Sequence, residues 1–193
     1  MDQASLWQRF KKGDKNSLKT IYEEHIDALF LFGKKLCTDD EQVWDYIHDL
    51  FVYVWESREK LGDPVVIRAY LLKSLRNRII DDFRKNKKVN LNADISMVRD
   101  TDMSREDEWV AFETSTQQSE KLGLALKALT DRQREVIYLK FNQNMSYEEI
   151  GDILGINYQS IRNLAHRAIT ELRKNMVVLV LILYGIRIFS AHI

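Results

Sequence analysis

The sequence predicts an all-α protein: two small helical domains joined by a flexible acidic linker. Three observations carry that prediction. Apolar residues recur at helical spacing through most of the chain. One Pro and seven Gly among 193 residues leave few breaks. Residues 90–118 are rich in Asp, Glu, Ser and Thr and lack sustained periodicity, which is the pattern of a linker. Length alone is compatible with one or two small cores. The single cysteine, Cys37, excludes an internal disulfide and fits a reducing cytoplasm. No cleavable signal is expected before the first amphipathic stretch.

Residues 5–36 read as helices broken at Lys12-Gly13-Asp14, with Leu18, Ile21, Tyr22, His25 and Leu29 on one face. His25 has no Cys or His at metal-ligand spacing and reads as a packed structural histidine. Cys37 reads as a small buried residue. Thr38-Asp39-Asp40 caps a helix from Glu41 to about Glu56. Its inward stripe is Val43, Tyr46, Ile47, Leu50, Phe51 and Val54. Asp45, His48, Asp49 and Val52 are left outward, flanked by Trp44 and Trp55. That acidic face with apolar residues among the acids suits either a solvated surface or a partner surface.

Pro64 can open the next helix, and residues 65–86 give one long helix or two nearly continuous ones. Tyr70, Leu71, Leu72, Leu75, Ile79, Ile80 and Phe83 are apolar, whereas Lys73, Arg76, Arg78, Arg84 and Lys85 are basic. Lys87 and Lys88 follow. A basic helix with an exposed aromatic suits an unpaired nucleic-acid strand, with cations for phosphates and a ring for a base. A solubilising face has the same composition.

The second domain, residues 119–175, begins with Leu122, Leu126 and Leu129 on one helix. Thr130 with Gln133 forms a capping box, and Val136, Ile137, Leu139 and Phe141 lead into Ser146 to Lys174. There Ser146 and Glu149 form another capping box, Gly155 supplies a left-handed helix end, and Asn157 can cap the next helix. In that helix Ile161, Leu164, Ala165, Ala168, Ile169 and Leu172 share a face. Tyr158, Gln159, Arg162, Asn163, His166 and Arg167 are left on the other, with Ser160 beside them. Two short helices around a Gly turn describe a helix-turn-helix, whose second helix fits the DNA major groove. There Arg reads guanine, and Asn or Gln reads adenine.

The formal charge is zero, but its distribution is uneven. Lys and Arg crowd Arg68 to Lys88 against Asp81 and Asp82, and acids crowd Asp94 to Glu120 against Arg99 and Arg105. No Gly-rich phosphate loop or clustered metal ligands appear, so no cofactor, metal or nucleotide is expected. Asp81 and Asp82 are adjacent and on a helix point about 100° apart, so they make no catalytic pair. An enzyme is therefore not expected. The residues leave one other reading open, a helix-turn-helix regulator that binds duplex DNA unaided, usually as a dimer on a palindrome.

From about Leu6 to Lys174 these stretches, in order and spacing, resemble the extracytoplasmic-function group of bacterial RNA polymerase sigma factors, in the sigma-70 family. Asp45-Tyr-Ile-His-Asp-Leu-Phe-Val-Tyr-Val-Trp55 looks like that family's core-binding motif. Ala69 to Lys85, followed by Lys87 and Lys88, looks like its minus-ten reading and melting segment. Ala128 to Val136 and Tyr147 to Gly155 complete the pattern. The resemblance implies a region 2 bundle in residues 1–89 and a region 4 helix-turn-helix in 119–175. It implies that Asp45, His48, Asp49 and Val52 dock on core RNA polymerase. Tyr70, Lys73, Arg76, Asn77, Asp81, Arg84, Lys85, Lys87 and Lys88 would meet minus-ten promoter DNA, and the outward face from Tyr158 to Arg167 the minus-thirty-five element. The acidic linker would thread the basic RNA-exit path, and an anti-sigma factor would be a further partner.

Three positions depart from the family pattern: Tyr70 stands for the frequent Trp, His48 for Gln, and Gly151 for Ala. The pattern also leaves residues 176–193 unexplained. Their apolar run stops at Arg187, short of the ~20 residues a spanning helix needs. Folding back or pairing with another chain, contact with a regulator or other partner, peripheral insertion in a membrane surface, and a partial span all remain open for it.

Overall fold

The computed structural model describes residues 2–90 and 125–190, with side chains placed for 2–85 and 125–174. Among the described residues every regular element is helical, and the chain divides into two compact units.

The first unit is built on α1 (Gln3–Lys11), α2 (Lys15–Leu36), α3 (Asp40–Ser57) and α4 (Ile67–Asn90). Asp2, Asp14 and Asp39 cap the first three, each carboxylate accepting backbone N–H bonds of the first turn that no helix carbonyl can reach. Gly13, at φ +89°, makes the left-handed break between α1 and α2. Helix α2 packs against α1, α3 and α4, burying Ile21, His25, Leu29, Phe32, Gly33 and Leu36 along one face. Helix α3 buries Val43, Tyr46, Ile47, Leu50, Phe51 and Val54, the stripe its sequence predicts. Burial of each large aliphatic side chain contributes about 1.5–3 kcal/mol.

Helix α4 departs from its expected bounds. It begins at Ile67 and runs to Asn90, so Pro64 lies in the preceding loop and does not open the helix. In that loop the Trp7 indole N–H donates to the Gly62 carbonyl at 3.0 Å, and Lys11 pairs with Asp63 at 2.9 Å. The chain is thus held down ahead of the helix, and Val65 is left 97% exposed.

The second unit is built on α5 (Asp131–Ile137), a π turn (Tyr138–Asn142) and α7 (Tyr158–Ser190), with α6 (Tyr147–Leu154) preceding α7. Both expected capping boxes form. Thr130 and Gln133 exchange bonds at 2.9 and 3.3 Å, and Ser146 and Glu149 at 2.7 and 3.1 Å. Leu129, Ile137 and Ala168 form a core on which Leu126, Ile169 and Leu172 pack. The π turn changes the register after Ile137. Val136, Ile137 and Leu139 are buried, whereas Phe141 is 64% exposed, because the extra residue of the wider turn rotates it away from them. The proposed linker at 90–118 falls almost entirely outside the described residues. The backbone of the apolar tail continues α7 without a break to Ser190.

His25 is buried, and its Nε2 has no hydrogen-bond partner. Burial in the bundle pushes its pKa below the ordinary 6.5, with Arg68 adding to the effect and Glu24 opposing it. The neutral ring is therefore the folded form. Because the unfolded chain takes up the proton first, stability is full above about pH 6.5 and falls as pH drops below it. Urea midpoints should decline between pH 7 and 5.5, and His25→Leu should flatten that decline; equal slopes for the two proteins would contradict it.

Candidate functional site

Three surfaces carry the residues singled out from sequence. On α3, Asp45, His48 and Asp49 are exposed beside Val52, Trp44 and Tyr53. The Trp44 ring stacks on Phe30 of α2 at 4.5 Å and 18°, and Lys34 lies 5.6 Å from the Phe30 ring while pairing with Asp40 at 3.0 Å. The face is acidic and partly apolar, and its aromatics are held from beneath. Rigid, amphipathic side chains of this kind lose little entropy when a partner covers them.

On α4, Lys73, Asn77, Asp81, Arg84 and Lys85 are all exposed. Their spacing of three to four residues puts Lys73, Asn77, Asp81 and Arg84 on one line along the helix. Asp81 sits 3.6 Å from Arg84, both well exposed, so this pair orients the guanidinium more than it stabilises the helix. Asp82 points elsewhere and accepts a 2.6 Å bond from the Tyr46 hydroxyl. Burial, then that carboxylate, pushes the Tyr46 pKa upward, so the phenol stays protonated. The bond ties α3 to α4 on the side away from Lys73 and Asn77.

Two residues assigned to the α4 surface do not lie on it as expected. Arg76 is buried, at 7% exposure. It lies between Leu72 and Ile79 in the helical repeat, so the stripe that buries those leucines and isoleucines takes it inward too. Tyr70 is half-buried and not an exposed ring. It packs edge-on against Trp7 of α1 at 5.5 Å, and burial raises its pKa. The side chains of Lys87 and Lys88, on the last turns of α4, lie outside the described residues.

On α7, Tyr158, Gln159, Arg162, Asn163, His166 and Arg167 are exposed as one face, and Ser160 is half-buried beside them. Gly155 adopts φ +70°, and the Asn157 side chain accepts the Ser160 backbone N–H at 2.8 Å. The turn and cap that orient the helix are those its sequence implies. Gln159 donates to the Asn163 side-chain oxygen at 3.2 Å, which fixes two amides together on the exposed face. A shallow groove is lined by Tyr147, Gln159, Arg162, Asn163, His166 and Ile169.

Sequence reasoning missed the support of that face. Lys140 lies 4.9 Å from the Tyr147 ring, Tyr147 meets Tyr158 edge-on at 6.2 Å, and Arg162 lies 5.8 Å from the Tyr158 ring. This run of alternating cations and rings holds the Arg162 guanidinium near the middle of the exposed α7 face. The available signal was a Tyr directly after each cap residue, Ser146-Tyr147 and Asn157-Tyr158. A helical pattern gives no reason for the two rings to meet. Tyr53 was also missed: it is 48% exposed on α3, with the Arg78 guanidinium 5.6 Å from its ring.

Comparison with known proteins fits this geometry. The Sigma-70 region 2 family matches residues 21–89 and the Sigma-70, region 4 family matches residues 125–174. The RNA polymerase sigma factor YlaC of Bacillus subtilis is 26% identical over 162 residues, covering 84% of this chain and 93% of that protein. The ECF RNA polymerase sigma factor SigW of the same organism is 25% identical over 179 residues, covering 88% and 94%. Among solved structures, CnrH in complex with the cytosolic domain of CnrY shares the fold at a TM-score of 0.61 and 19% identity, covering 91% of this chain and 97% of that one. The sigma factor RpoE of Bartonella quintana, solved with the anti-sigma factor NepR, does so at 0.58 and 20%, covering 86% and 98%. With the four-helix unit matched from Ile21 onward by one of these regions and the helix-turn-helix by the other, in the same order along the chain, the protein belongs to the sigma-70 family of RNA polymerase sigma factors, in its extracytoplasmic-function group.

Proposed function

We propose that this chain binds core RNA polymerase, directs it to a small set of promoters and assists the opening of the DNA. It is a transcription initiation factor, it acts in the cytoplasm where the chromosome lies, and it catalyses no reaction of its own. The observation that carries this reading is the order of three unlike surfaces. An acidic, partly apolar face on α3 comes first, a mixed basic line on α4 second, and an arginine- and amide-rich major-groove face on α7 last. A regulator that needs only duplex DNA would use the last and has no need of the first two.

The roles are assigned as follows. Residues 1–89 form region 2, in which Asp45, His48, Asp49 and Val52 dock on core polymerase. Lys73, Asn77, Asp81, Arg84 and Lys85, continued by Lys87 and Lys88, track the minus-ten strand. Tyr70, held edge-on by Trp7, offers the remaining part of its ring to an unstacked base and supports the surface from below. Arg76 serves as a core residue of α4. Residues 119–175 form region 4, in which Gln159, Arg162, Asn163, His166 and Arg167 read the minus-thirty-five duplex. Residues 90–118 bridge the two, and an anti-sigma factor is the partner that restrains them.

Run-off transcription with purified core polymerase, this chain and promoter fragments from its own genomic neighbourhood tests the whole. Specific transcripts that need both proteins are expected. Tight, specific duplex binding by the chain alone, with no transcripts on adding core enzyme, would instead establish the unaided regulator.

Two substitutions separate the surfaces. Asp49→Arg reverses a charge on an exposed face, so it should weaken capture of core polymerase about tenfold or more while leaving the helical circular-dichroism spectrum unchanged. Undiminished capture would move the docking face elsewhere. Arg162→Ala combined with Asn163→Ala should remove minus-thirty-five selectivity, at about 1–3 kcal/mol for each base that is no longer read. The readout is relative output from promoters mutated in that element, and preserved discrimination would place base reading on other residues.

A further inference from the structure

Beyond Asn175 the sequence of α7 no longer resembles that of a recognition helix. From Met176 to Ile186 no residue carries a charge, and Tyr184 has the one polar group. Helix α7 nevertheless carries the backbone on to Ser190. After Glu171 there is no further Asp or Glu, whereas Arg173 and Lys174 precede the apolar run and Arg187 follows it.

The pattern decides what can cover such a helix. A helix packed on its own domain, or paired in a two-stranded coil, keeps a polar face toward water. At about 100° per residue, Val177 to Leu183 cover the full circumference and leave no polar face. A protein partner that fills one stripe would leave the others wet, whereas lipid hydrocarbon surrounds all of them. The run is about 16 Å long at 1.5 Å per residue, about half of a ~30 Å hydrocarbon core. No helix among the described residues is long and apolar enough to cross a membrane. Arg173 and Lys174 at the near end, with no acid after Glu171, match the headgroups of an anionic leaflet. Arg187, past the far end, is carried toward the middle of the core, a cost the apolar run offsets.

We propose that Met176 to Ile186 seats in one leaflet of an anionic bilayer with Arg173 and Lys174 among the headgroups, making α7 a peripheral membrane anchor as well as a base reader. The attachment stands on the tail alone, and its consequence rests on the DNA-reading role proposed above. Arg162 and Arg167 precede Val177 on the same helix by about 22 and 15 Å of axial rise. At about two to three Debye lengths the charge of the surface is largely screened at physiological salt, so the conflict is steric: a duplex seated on that face and the bilayer would occupy adjoining space along one helix. A promoter and the bilayer therefore compete for the chain.

Flotation of the full chain with unilamellar vesicles is the test. The chain should rise with phosphatidylglycerol–phosphatidylcholine vesicles, on the order of tenfold more than with phosphatidylcholine alone. Leu181→Glu with Ile182→Glu should abolish flotation, and Arg173→Gln with Lys174→Gln should remove only the preference for the anionic lipid. The core of the second unit ends at Leu172, so both variants should keep the wild-type helical spectrum, and the milder Gln pair serves if the Glu pair does not fold. Failure of the wild-type chain to float, or equal flotation of the Glu variant, overturns the proposal. So does a wild-type chain that fails to float but sediments as a tail-dependent dimer, which would assign the run to a second copy. In run-off transcription, anionic vesicles should lower wild-type output several-fold and spare the Glu variant; flotation without such lowering overturns the competition. Absence of transcripts before any vesicle is added counts against the sigma-factor role, and the flotation result stands apart from it.

Discussion

At Gly33 the helices α2 and α3 approach so closely that the Val43 side chain occupies the space a Cβ would need, 2.6 Å from its Cγ1. Real Cβ atoms do not tolerate that separation, and packed interiors transmit the strain of an added methyl. With α3 seated this close, its Val43, Ile47, Leu50 and Val54 go inward. The opposite side, Asp45, His48, Asp49 and Val52, has nowhere to go but water. The acidic outer face is thus defined by subtraction, as what remains of α3 once its fit to α2 is satisfied.

The same logic sets α4. Its inner side is taken up by Leu71, Leu72, Leu75 and Ile79, and Arg76 lies among them. The Tyr46–Asp82 bond at 2.6 Å fixes the rotation of α4 against α3. What is left outward is a line of mixed charge in which Asp81 holds Arg84. In the second unit the exposed face of α7 is defined less by subtraction than by local order. Its start is fixed by Gly155 and Asn157, and its central arginine is steadied by the Lys140–Tyr147–Tyr158 series.

Much of this was legible in the sequence because helical signals are local. Capping boxes at Thr130 and Ser146, the breaks at Gly13 and Gly155, and the stripe on α3 each need only a window of a few residues. The failures share the opposite cause. Tyr70 looks exposed when α4 is read alone, and only the approach of Trp7 from α1, distant in sequence, covers it. Arg76 looks like a surface cation by composition, yet its place in the repeat puts it on the buried stripe. The π turn at Tyr138–Asn142 adds a residue that no α-period anticipates, and it leaves Phe141 outward. The tyrosine–cation series beneath Arg162 depends on how two successive helices turn toward each other, which their separate patterns do not state.

The unbroken course of α7 has a mechanical corollary. From Tyr158 through Tyr184 there is neither Gly nor Pro, so no swivel separates the residues that face a groove from the apolar stretch beyond them. A torque applied at the far end is delivered to the near end with little slack. The helix behaves as a crankshaft: whatever grips the tail also chooses the azimuth of Arg162 and Asn163.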